Sequence, residues 1–330
     1  MNPVTLSDIQ AARLRIADKI DRTATVRSAS LSETAGAPVL LKLEHRQATG
    51  SFKLRGASNA IALLSQAEKA RGVVAASTGN HGRALAHAAK LEGVRAIICM
   101  SRLVPENKLA EIRRLGADIR IVGNSQNDAQ DEADRLARDE NLTVIPPFDH
   151  PAVIAGQGTL GLEMIEAVPA AETVVVQLSG GGLAAGIAAA VKGVSPTTRV
   201  VGVSMQRGAA MKASIDAGKP IPVMEVPTLA DSLGGGIGLS NEYTFQMCSD
   251  LLDDIVVLTE TEIAAGIRHA YAVEREVVEG AGAVGIAAIL AGKVKPNGET
   301  VVLLSGRNID MDLHRSIVCG TWTSEGETNL

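Results

Sequence analysis

Four short stretches pair chemically active side chains with glycines that let backbone approach a ligand. Gly50-Ser51-Phe52-Lys53-Leu54-Arg55-Gly56 carries a lysine where the strand-like run Pro38–Glu44 gives way to a helical one. Held there and partly dried, the lysine favours its neutral amine, the form a nucleophile needs. Taken alone, it is better read as a surface residue near a helix start. Ser77-Thr78-Gly79-Asn80-His81-Gly82 ends an expected strand and opens a helix. Its N–H groups and hydroxyls suit a carboxylate or phosphate, although an ordinary capped turn explains it as well. Ser179-Gly180-Gly181-Gly182-Leu183 lets several N–H groups point inward as an anion nest that the next helix reinforces. It has neither the Gly-Lys-Ser/Thr of a P-loop nor GxGxxG spacing, so a compact monophosphate is the better ligand. The plainer alternative is close helix–sheet packing. Ser305-Gly306-Arg307-Asn308 ends the last expected strand, where the carboxyl ends of a parallel sheet converge on a crevice.

Alternating short apolar runs and longer helical ones position these stretches. Strands are expected at 73–77, 96–100, 118–122, 143–145, 173–178, 199–204, 254–258 and 300–305, with helices between them. A first helix runs from Leu6 to about Ile20, with Ile9, Leu14, Ile16 and Ile20 on its apolar face, and 23–32 reads as loop and turn. Continuous apolar strands followed by helices give an α/β class with parallel sheets covered on both faces. Pro146-Pro147-Phe148-Asp149-His150-Pro151 punctuates the middle of the chain. It marks 72–149 as a small α/β domain inserted into a larger one made of 1–71 and 150–330. The stretch 321–330 reads as a flexible tail.

With 330 residues, 46% of them hydrophobic, the chain can build a large core. A formal charge of -5, no basic run and 2% aromatic content exclude a nucleic-acid stripe and point to a small-molecule partner. Cys99, Cys248 and Cys319 are far apart, so neither a disulfide framework nor a zinc site is expected, and six histidines without HxxxH spacing add no metal site. Neither a basic leader with an apolar segment nor a spanning run is visible, so a cytoplasmic protein is expected. Asp231-Ser232-Leu233-Gly234-Gly235-Gly236-Ile237-Gly238 is small and flexible, as a substrate-gating loop or a plain linker would be.

Together, an activated lysine, an asparagine-bearing anion cradle, a nest for one phosphate and a strand-end serine call for a cofactor with a phosphate, a ring and an aldehyde, which is pyridoxal phosphate. From about Leu6 to Asp310 the chain resembles the fold type II pyridoxal-phosphate enzymes, specifically the serine/threonine dehydratases (ammonia-lyases) and serine racemases. The motifs are Ser-Phe-Lys-Leu-Arg-Gly-Ala, Ser-Thr-Gly-Asn-His-Gly, Pro-Glu-Asn-Lys, Ile-Ala-Gly-Gln-Gly-Thr, Ser-Gly-Gly-Gly-Leu and Ser-Gly-Arg-Asn. The resemblance implies a two-domain fold of the tryptophan synthase β kind and a homodimer. It makes Lys53 the Schiff-base lysine, with Phe52 near the ring and Asn80 bonding the ring's phenolic oxygen. Ser179, Gly180, Gly181, Gly182 and Leu183 hold the phosphate, and Ser305 meets the pyridine nitrogen. Ser77, Thr78, Gly79, Asn80 and His81 receive the substrate, and Thr78 stands where racemases carry a second catalytic serine. The position of the relatives' divalent cation holds Ser204, Gly208 and Ala210, which lack carboxylates, so no metal is expected. Nothing resembling the regulatory domain of biosynthetic threonine deaminases follows Ser305.

The implied activity is loss of water from a β-hydroxy-α-amino acid, giving a 2-oxo acid and ammonia. L-threonine or L-serine is one substrate. Ser-Thr-Gly-Asn-His-Gly-Arg, Ala-Asp-Ser-Leu-Gly-Gly-Gly-Ile-Gly and Val-Val-Glu-Gly-Ala-Gly-Ala look more like the hydroxyectoine-utilization dehydratases, which implies a larger, hydroxyectoine-derived substrate. Amino-acid racemisation is a further alternative.

Overall fold

A computed structural model describes residues 3–77, 79–104 and 106–323. The chain runs α1 (Leu6–Ile16), β1 (Thr25–Ser28), α2 (Ala29–Ala35), β2 (Val39–Lys42), α3 (Lys53–Ala62) and α4 (Gln66–Arg71). Next come β3 (Val73–Ala76), α5 (Asn80–Leu91), β4 (Ala96–Met100), α6 (Glu106–Arg114), β5 (Asp118–Ile121), α7 (Gln126–Asp139) and β6 (Thr143–Val144). The remainder is α8 (Pro151–Ala167), β7 (Thr173–Gln177), α9 (Gly182–Val194), β8 (Arg199–Met205), α10 (Ala210–Asp216), α11 (Thr244–Leu251), β9 (Asp254–Leu258), α12 (Glu260–Ala272), α13 (Gly280–Leu290), β10 (Thr300–Leu303) and α14 (Met311–Val318).

Two sheets form. The larger has the order β1-β2-β10-β7-β8-β9 and is parallel except for β1, which pairs antiparallel with β2. The smaller, β5-β4-β3-β6, is wholly parallel and lies inside the 72–149 segment. Helices cover both faces, as the continuous apolar strands require. Along β7 and β10 successive side chains serve opposite layers. Val174, Val176, Val301 and Leu303 meet α8 and α9, while Val175 and Val302 meet α12 and α13. The smaller sheet packs α3, α5 and α6 on one side and α7 on the other. Among the described residues no helix is long and apolar enough to cross a membrane.

Helix α3, which starts at Lys53, is clamped from two directions. A Cβ on Gly156 of α8 would sit 2.6 Å from the Arg55 carbonyl, so the glycine lets the two helices touch. Beneath it lies a buried ion network. Arg55, 0% exposed, bonds Glu44 at 2.7 Å and Glu163 at 2.7 Å, and Lys42 bonds Glu163 at 2.5 Å. The network ties β2, α3 and α8 together at the foot of the site.

Several expectations are corrected. Residues 25–35 are not loop, because β1 gains order from pairing with β2 and α2 from the Ser28 cap, whose hydroxyl accepts the Leu31 N–H. Helix α1 stops at Ile16, and Leu14 faces away from the core at 81% exposure. Helices α4 and α14 are additional; α4 is fixed by a capping box between Ser65 and Glu68, and α14 by Asp310, which accepts from Asp312 and Leu313. The tail begins ordered, since the Trp322 N–H bonds the Ser316 carbonyl at 3.0 Å and its ring packs on the core. Residues 324–330 lie outside the described residues.

Candidate active site

The loops that follow β2, β7 and β10 in the larger sheet and β3 in the smaller one meet where parallel strand ends open a crevice. Phe52, Lys53, Ser179, Gly180, Gly181, Gly182, Leu183 and Ser305 line a single cavity there. A short backbone seam brings the first pair to the last residue. Ser51 bridges Gly306 antiparallel, Phe52 N–H donates to Ser305 O at 3.0 Å, and Arg307 N–H donates to Gly50 O at 2.9 Å.

Lys53 is the first residue of α3, and its Nζ donates to the Pro147 carbonyl at 2.6 Å, 5.3 Å from the centre of the Phe52 ring. Part of the side chain touches solvent, but the amine lies enclosed, and desolvation pushes its pKa down to about 8. The amine therefore gives up its proton far more readily than an ordinary lysine, although most of it is still charged at pH 7.

The glycine loop leads from β7 into α9. Gly181 adopts φ +91°, a left-handed conformation that favours glycine, at the helix N-cap. A Cβ there would lie 2.7 Å from Met211 Cε, and one on Gly182 would lie 2.8 Å from the Phe148 carbonyl. The N–H groups of the loop and of the first turn of α9 form an anion cradle. Phe148 comes from the proline-rich junction, so that junction walls the site as well as marking a boundary.

Asn80 is buried at the start of α5. Its Nδ2 donates to Glu279 Oε1 at 2.8 Å, and its Oδ1 accepts from Asn308 Nδ2 at 2.6 Å. Ser77 Oγ accepts the Gly82 N–H at 3.2 Å, capping α5, and Gly79 is the helix N-cap. The His81 ring Nε2 bonds Ile145 O at 2.7 Å. Burial and then the nearby Lys53 charge push the imidazole down to about 4, so it is neutral. Thr78 lies outside the described residues.

Four cavity residues are given no site role in the sequence reading, Phe148, Gln177, Glu279 and Ala281, while Ser232 and Leu233 come from the loop offered there as a substrate gate. Gln177, 3% exposed, donates Nε2 to Leu303 O at 2.7 Å and leaves Oε1 buried with no partner. Glu279 sits at the N-cap of α13, and burial, then the charge of Asp231, raises its carboxyl to about 7. Glu279 appears in the sequence only as one acid before a glycine-rich helix, and Gln177 only as the polar end of an apolar strand.

The residues present fit pyridoxal phosphate. A nest of N–H groups backed by Phe148 and Met211 suits one phosphate, a desolvated amine suits an aldehyde, and Ser305 and the orphaned Gln177 oxygen supply polar contacts for a heteroaromatic ring. Among the described residues no group of three or more His, Cys, Asp or Glu is placed to hold a metal.

Comparison with known proteins agrees. A family model described as "Pyridoxal-phosphate dependent enzyme" matches residues 16–306. The chain is 62% identical over 321 residues to a "Putative threonine dehydratase" of Sinorhizobium fredii, covering 97% of each. It is 41% identical over 316 residues to the L-threonine ammonia-lyase of Thermotoga maritima, covering 96% of this chain and 78% of that one. The structure of maize serine racemase superposes with a TM-score of 0.91 at 32% identity, covering 97% of this chain and 98% of that one. The processed form of threonine deaminase isoform 2 from Solanum lycopersicum gives 0.89 at 33%, covering 96% and 94%.

Proposed function

Because the chain belongs to the pyridoxal-phosphate dependent enzymes, we propose that it is a dehydratase of the threonine/serine ammonia-lyase type, removing water from a β-hydroxy-α-amino acid to give a 2-oxo acid and ammonia. What carries the reading is the convergence of the enclosed Lys53 amine, the glycine cradle and Ser305 on one cavity. Bound pyridoxal phosphate supplies an aldehyde that captures the substrate amine and a ring that draws electrons from its α-carbon.

The chain's own groups divide the remaining work. Lys53 Nζ takes the α-proton, and Pro147 O, 2.6 Å away, accepts an N–H of the resulting ammonium. The loop 179–183 and the N-terminus of α9 bind the phosphate. The first turn of α5, with Ser77, Gly79, Asn80 and His81, receives the substrate carboxylate on backbone N–H groups, and Thr78 belongs to the same stretch. Ser305 offers the ring nitrogen a neutral hydroxyl. Unlike a carboxylate it does not hold a proton there, which favours prompt expulsion of the β-hydroxyl over routes needing a long-lived carbanion. The test is release of 2-oxobutyrate from L-threonine by protein supplied with the cofactor; activity of Lys53→Ala at the wild-type level would refute it.

A second reading of the substrate rests on the sequence of the stretches 77–83, 230–238 and 277–283. The larger hydroxyectoine-derived amino acid is that second reading, supported if the cofactor binds but L-threonine yields no product. Racemisation is checked by chiral analysis of recovered substrate. We further take 72–149 as the inserted domain, a homodimer as the assembly and the cytoplasm as the location.

A further inference from the structure

We propose that Glu279 is a positioning residue, whose carboxylate locks the Asn80 amide so that one Asn80 N–H is presented to a ligand oxygen. The inference rests on the cavity being a pyridoxal phosphate site.

An asparagine amide has two orientations of nearly equal shape, and only its neighbours choose between them. Here Glu279 Oε1 accepts from Asn80 Nδ2 at 2.8 Å while Asn308 Nδ2 donates to Asn80 Oδ1 at 2.6 Å. A flipped amide would set oxygen against the carboxylate and N–H against N–H. Asn308 is itself held, since its Nδ2 also donates to Thr49 O at 3.0 Å and its Oδ1 accepts from Arg83 Nη1 at 3.1 Å. Among the described residues the second hydrogen on Asn80 Nδ2 finds only Ser232 Oγ, 3.5 Å away on the cavity wall, which is too far for a strong bond. That N–H is free for an oxygen of the bound cofactor.

Glu279 uses both oxygens, because Oε2 accepts the Asn308 N–H at 2.9 Å. A carboxylate satisfies both donors, whereas a glutamine turns an NH₂ toward one of them. The charged groups facing it are Asp231, which opposes its ionisation, and Arg83 on α5. Protonation near pH 7 puts a hydrogen on one of the two acceptors and loosens the lock.

A double-mutant cycle tests this. The dissociation constant of pyridoxal 5'-phosphate, read from its visible absorbance, is measured for wild type, Glu279→Gln, Asn80→Ala and the double variant, with far-UV circular dichroism to establish folding. Glu279→Gln is expected to weaken binding about tenfold in the wild-type background and less than about twofold in Asn80→Ala. Protonation of Lys53 weakens binding with falling pH in both proteins, and wild type is expected to lose more affinity below about pH 7 than Glu279→Gln does. Equal effects in both backgrounds, or none in either, overturn the proposal. Should Glu279→Gln not fold, Asn308→Ala takes its place in the same cycle with the same criterion. Absence of a cofactor band in wild type overturns the cofactor reading itself, whereas a normal band with additive variants overturns only the role of Glu279.

Discussion

The Phe52 N–H donates to the Ser305 carbonyl at 3.0 Å, the central bond of a backbone seam that fixes the loop carrying Lys53 to the loop carrying Ser305. Two segments more than two hundred and fifty residues apart in sequence thus share one wall. The relationship makes the chemistry at Lys53 and at Ser305 separable by substitution.

Ser305→Asp places a carboxylate in that wall, favouring a proton on a bound ring nitrogen and a longer-lived carbanion. Elimination from L-threonine is expected to fall roughly tenfold or more, with a larger share of α-proton exchange per turnover. Product release and solvent deuterium incorporation, measured together, check this; an unchanged ratio contradicts it.

The cofactor-free protein should grow more stable with rising pH on account of Lys53. Its folded pKa is lowered to about 8 from an ordinary 10.5, so between these values the unfolded chain binds more protons. Stability therefore rises across that window. Urea unfolding at pH 8 and pH 10 should show this gain for wild type relative to Lys53→Met, which lacks the titrating group.

Gly181→Ala forces a side chain into φ +91° and toward Met211 Cε. The strain is on the order of 1–2 kcal/mol, and the displaced N–H groups should weaken phosphate binding further. Equilibrium titration with pyridoxal 5'-phosphate should show a dissociation constant at least about tenfold higher.

Arg55→Ala leaves Glu44 and Glu163 buried without their shared cation. A loss of about 3–5 kcal/mol is expected on urea unfolding. Because α3 starts two residues earlier, surviving protein should also bind cofactor less tightly.

Much of this was legible because two signals are strong in one dimension. The apolar runs Thr173–Gln177 and Thr300–Leu303 announce strands buried on both faces, and glycines beside hydroxyls announce anion-binding turns. The missed pieces depend on partners. Thr25–Ser28 has no apolar run and becomes a strand only against β2. Glu279 finds its partners because α5 and the segment after β10 bring Asn80 and Asn308 to it. The proline-rich junction read as punctuation, yet its Pro147 carbonyl holds the lysine and its Phe148 ring backs the glycine cradle, contacts that no local pattern encodes.

The central claim is that Lys53 is the residue to which the cofactor attaches. Borohydride reduction of the protein with pyridoxal 5'-phosphate, followed by proteolysis and mass spectrometry, tests it most directly. The account predicts a stable phosphopyridoxyl group on the peptide containing Lys53 and none in Lys53→Ala. Modification at another lysine, with Lys53 recovered unaltered, would contradict it.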